Sequence, residues 1–160
     1  MKITHCVAVC IVLTGFCYKS IAQTFNRRDF YSVMASGDTR AIDEQINLLR
    51  NSTVDGKPAF EGALLMKKSG MINGSGKKIN LFKEGHKKLE SAIREDDDNA
   101  EYRFLRLMIQ EHAPKMLGYK GDLEKDSAYI RQSYKKLPAE VREAIINYSK
   151  TSKILRSVDL

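Results

Sequence analysis

From Phe30 to Leu155 the apolar residues of this chain return every third or fourth position, segment after segment, a spacing that suits helices and little else. Only three prolines, Pro58, Pro114 and Pro138, fall in the 160 residues. No run of four residues alternates cleanly between β-branched apolar and polar types, so a strand has almost nowhere to form. The stripes predict helices over 27–36, 39–50, 58–69, 79–95, 99–116, 123–137 and 138–155. Asp38 or Thr39 suits the N-cap of the second, Asp98 with Glu101 has capping-box spacing at the fifth, and Asp122 is expected to cap the sixth. Pro58 and Pro138 fit the first turns of the third and seventh, and Pro114 is expected to kink or restart the end of the fifth. Residues 70–78 hold three glycines and read as a mobile loop. The expected fold is all-α, a short antiparallel helix-pair array or irregular bundle of about seven helices.

Ahead of this lies a different kind of segment. Lys2 and His5 precede the apolar run Cys6 to Cys17, and Ser20 and Ala22 come after it as small residues two apart, the order of a cleaved secretory signal ending at Ala22. Twelve apolar residues make a helix of about 18 Å, short of a roughly 30 Å hydrocarbon layer. The expectation is therefore an exported protein, periplasmic or secreted, with a single helical domain over 23–160 and no transmembrane segment after cleavage. All three cysteines, Cys6, Cys10 and Cys17, belong to the leader. Beyond Ala22 the chain has no thiol for a disulfide, a thiolate zinc site or a cysteine nucleophile.

One stretch carries a family resemblance. Phe82, Gly85, Leu89, Ala92-Ile93, Asp96-Asp97, Asn99 and Tyr102 stand at the spacings where a tetratricopeptide repeat places its aromatic, small and bulky residues and the cap of its next helix. Upstream, Phe60-Glu61-Gly62-Ala63-Leu64 is similar to the core of that family's first helix. Asp97 stands where the family has proline, and no second full copy occurs 34 residues away, so the resemblance is one partial match around 60–102, within a repeat-like core of about 58–115. It implies a non-catalytic scaffold that binds a protein or peptide partner, with Gly85 allowing close helix approach and Asn99 capping the fifth helix.

The chemistry-bearing residues are few. The leader holds two of the 27 Lys and Arg, leaving 25 against 20 Asp and Glu. The lysine clusters at 67–88 and 131–156 leave weak contact with anionic surfaces open, but lysines without an aromatic ladder do not describe a specific nucleic-acid site. Beyond the leader only His86 and His112 remain, and no spacing fixes them as metal ligands, so neither metal nor cofactor is expected. The Gly-rich stretch before Lys77 fails as a phosphate loop because Met71 and Lys78 stand at its required glycine and hydroxyl positions. An alternative reading, a small helical hydrolase or ligand-carrying domain, would bring Glu61, Glu101 and His86 into one central pocket, with carboxylates about 5–9 Å apart. Tyr102, Arg103 and Arg106 are the candidate partner-binding residues. The two arginines lie in the most apolar helix, where an internal ion pair with Glu61 or the acidic turn 96–98 is expected.

Overall fold

The structure is a computed structural model that describes residues 24–156; the leader and its expected cleavage point lie outside the described residues. Seven α-helices succeed one another, with no strand among the described residues: α1 (Arg27–Ala35), α2 (Thr39–Asn51), α3 (Lys57–Ser69), α4 (Ser75–Glu95), α5 (Ala100–His112), α6 (Leu123–Ser133) and α7 (Ala139–Ser149). Short 3-10 turns come after α5, at Lys115–Leu117, and after α6, at Tyr134–Lys136.

Asp38 caps α2 and Asn99 caps α5, each accepting hydrogen bonds from the free N–H groups of its first turn. The capping box expected from Asp98 and Glu101 does not form. The Glu101 side chain turns to α1, and Asp98 accepts from the Tyr129 hydroxyl. Nor does the Asp122 side chain cap α6; it accepts from Gln110 of α5 instead. Pro114 ends α5 earlier than the apolar spacing suggests and opens the first 3-10 turn. The α-helix of the sixth segment stops at Ser133, and α7 stops at Ser149.

The largest departure is at 70–78. Only 70–74 form a turn, and Ser75 already begins α4, which runs 21 residues against 13 for α3. These two helices make the most extensive contact in the molecule. They are antiparallel, since Gly62 lies against Leu89 and Gly85, and Met66 against Gly85. In that register the first turns of α4 run past the end of α3, and residues 73–80 are all exposed.

The core gathers on α3 and α5. Phe60, Ala63, Leu64, Phe104, Leu105 and Leu107 have no exposed surface, and α5 is buried on nearly every side, the central position its all-round apolar pattern predicts. Phe30, Phe60 and Tyr102 continue this core as an edge-to-face series from α1 through α3 to α5. α6 packs antiparallel on α5, with Arg103 reaching Asp126 and Gln110 reaching Asp122. The first and last helices also touch, and Arg28 of α1 bonds to Glu143 of α7 across 115 positions of sequence.

Candidate binding site

The polar groups inside this bundle obey one pattern: a carboxylate on one helix receives donors from others. Glu61 on α3 accepts from Arg50 of α2 at 2.8 Å and from Lys88 of α4 at 2.9 Å. Burial pushes its carboxyl up, but the Lys88 and Arg50 hydrogen bonds outweigh that and hold it below the ordinary value. Glu101 on α5 accepts from Arg27 at 3.0 Å and from the Tyr31 hydroxyl at 3.1 Å, both on α1. Here burial dominates and the carboxyl is raised, with Arg27 offsetting only part of it. Glu111, near the end of α5, accepts from Tyr148 and Ser152 at 2.7 Å each and from the Lys153 N–H at 2.7 Å, fastening α7 and the segment beyond it.

Arg103 and Arg106 do form an internal ion pair, though not with Glu61. Arg106 meets Asp126 of α6 through Nε at 2.7 Å and Nη2 at 2.7 Å, and its remaining nitrogen meets Glu90 of α4 at 3.0 Å. Arg103 adds a longer contact to Asp126 at 3.3 Å and donates to the Asp97 carbonyl, the one contribution of the acidic turn. Asp126 has no exposed surface. Glu90 also accepts from the Tyr119 hydroxyl at 2.5 Å; burial and this bond raise the Tyr119 pKa far above that of free tyrosine. The guanidinium groups therefore knit α4, α5 and α6 together.

Tyr102 lies with its hydroxyl where a Cβ on Gly56 would stand, which explains a glycine at that left-handed position with φ of 71°. His86 packs on Phe82 and Tyr119, while the His112 ring lies against Tyr148 and its Nδ1 is 3.1 Å from the Met108 carbonyl oxygen. Glu61, Glu101 and His86 thus occupy three separate clusters with no shared hydrogen-bond partner. Among the described residues no three His, Cys, Asp or Glu side chains come together to hold a metal ion, and no helix is long and apolar enough to cross a membrane.

A large concavity lies elsewhere among the described residues. It has a volume of about 1240 Å³ and is enclosed by α1, the end of α3, the overhanging start of α4, the end of α5 with its 3-10 turn, and α7. All five methionines after Met1 line it: Met34, Met66, Met71, Met108 and Met116. Phe82, Phe104 and Ile109 complete the apolar floor. Four large apolar residues are exposed among those described, and three of them stand on this rim: Ile79 at 48 %, Leu117 at 41 % and Met116 at 90 %. Lys67, Lys78 and Lys83 border one wall and Glu140 and Glu143 the other. Tyr102, Arg103, Arg106, Glu61, Glu101 and His86 are not part of this lining.

Two signals in the sequence could have marked this site. Met116-Leu117 is an apolar pair in a short segment bounded by Pro114 and Gly118, where no helix stripe accounts for it. Ile79 heads the stripe of Phe82, Leu89 and Ile93, three positions ahead of Phe82, and carries it into the lysine-rich first turns of the helix. Neither shows what faces it until α4 is known to overhang α3. No family model, curated protein or solved structure matches the chain.

Proposed function

We propose that this chain is a non-catalytic, tetratricopeptide-like helical scaffold that acts after export and binds a protein partner in its methionine-lined concavity. One observation carries the reading: among the described residues, three of the four large apolar side chains left in solvent ring the mouth of one cavity. Apolar groups gathered around a concave surface mark an interaction site, whereas scattered ones need no partner. The floor suits the role, because unbranched, polarisable methionine side chains reshape around different apolar surfaces at little cost. The close pairing of α3 and α4 through Gly62 and Gly85 supports the tetratricopeptide-like description of 58–115.

Site-specific photo-crosslinking in the native cell tests the reading. A crosslinker at Met116 is expected to give one discrete protein adduct, and the same group at Ile146, the exposed apolar residue away from the cavity, to give none. Equal labelling from both positions, or none from Met116, would overturn it.

A further inference from the structure

We infer that the segment received by the concavity is an amphipathic helix of about three turns with an acidic flank. The inference rests on the partner-binding reading above and specifies the partner's chemistry. Size comes first. A helix about 10 Å across and ten residues long displaces roughly 1200 Å³, close to the 1240 Å³ available. Small-molecule sites run at about 300–1000 Å³, so the space is generous for a single compact ligand. The walls agree, since they are themselves helices, and an apolar helical face seats into such a groove through residues three and four apart.

Charge then selects the flank. Lys67, Lys78 and Lys83 stand together along the α3–α4 wall, and none of their side chains makes a hydrogen bond or ion pair among the described residues. On the facing wall Glu143 is already bonded to Arg28, leaving Glu140 as the acid without a hydrogen-bonded cation. An inserted helix with acids along one edge meets the three lysines while its apolar face covers the half-buried Met71, Phe82 and Met108. A single-headed anionic amphiphile could engage the lysines but leaves the Glu140 wall and much of the floor uncovered. The observations therefore favour the helix.

Synthetic amphipathic peptides of about 14 residues, sharing one Leu/Met face and flanked by either Glu or Lys, test this by fluorescence anisotropy and circular dichroism. The Glu-flanked peptide is expected to bind about tenfold more tightly at low salt, to gain helicity, and to lose its advantage as salt rises. Lys78→Glu with Lys83→Glu, both exposed positions, should reverse the preference, and Leu117→Asp should weaken both peptides. Equal binding of the two peptides overturns the inference. So does saturation by decyl phosphate that excludes them, or a concentration-dependent dimer that closes the mouth. If a protein adduct still forms at Met116 in any of these cases, the scaffold reading stands and only the helical, acidic partner falls; loss of that adduct removes the scaffold reading itself.

Discussion

Gly62 and Gly85 face each other where α3 crosses α4, so closely that a Cβ on Gly85 would stand 2.5 Å from the Gly62 carbonyl oxygen and 2.9 Å from the Met66 backbone nitrogen. Backbone cannot move aside as a side-chain tip can. Gly85→Ala is therefore expected to destabilise by about 1–3 kcal/mol through overpacking, read as a lower urea midpoint. Gly37→Ala is the control: nothing lies within 4 Å of its added Cβ, and stability should hold or rise by up to about 1 kcal/mol.

Asp126 neutralises two arginines in a place without solvent. Asp126→Ala leaves Arg103 without a carboxylate partner and Arg106 with Glu90 and the more distant Asp122, and should cost about 3–5 kcal/mol. Asp126→Asn keeps the shape and part of the hydrogen bonding and should cost less. Thermal unfolding monitored by circular dichroism separates the two.

Glu111 makes stability depend on acid. Burial raises its carboxyl, but the bonds from Tyr148, Ser152 and the Lys153 N–H bring it below the ordinary value of 4.5. A carboxyl that binds its proton less readily when folded contributes fully above pH 4.5, and that contribution is lost as pH falls through the lowered folded value. Glu61 acts in the same direction. Glu101, raised by burial, acts in the opposite one: it binds its proton more readily when folded, and its contribution falls as pH rises through the raised value. The urea midpoint should drop between pH 6 and pH 3, and Glu111→Gln should lessen the drop while lowering the midpoint at pH 6 by about 1–3 kcal/mol of stability.

Glu61 distinguishes scaffold from hydrolase. Glu61→Gln removes the charge that holds Arg50 and Lys88 and should cost about 1–3 kcal/mol, with crosslinking at Met116 unchanged. A variant that folds as the parent does but loses partner adducts would place Glu61 in the binding function after all.

Much of the architecture was legible because it is periodic. The stripe Ile42, Ile46, Leu49 reports its own helix, and the apolar surround of Phe104, Leu105 and Leu107 reports a helix with neighbours on all sides. What escaped was relational. A glycine-rich stretch looks like a loop on composition alone; local hydrogen bonding carries Ser75–Lys78 into α4 despite Gly76. The carboxylates that Arg103 and Arg106 meet at hydrogen-bond distance lie 20 or more positions away on α6 or over on α4, and spacing along one helix cannot select Asp126 over Glu61. The cavity was hidden for the same reason. Its methionines come from α1, α3, the turn after it, α5 and the 3-10 turn at Lys115–Leu117, which only the tertiary arrangement brings together.

The meeting of α1 with α7 sets a limit on how this architecture can vary. An open stack of helix pairs grows or shrinks by whole units while its interior stays as it was. Here the first helix leans on the last, so an inserted pair would have to prise Arg28 away from Glu143 and widen the methionine-lined chamber at the same stroke. The caliber of that chamber is bound to the number of helices around it, and descendants of such a chain would retune it by exchanging side chains, not by adding length.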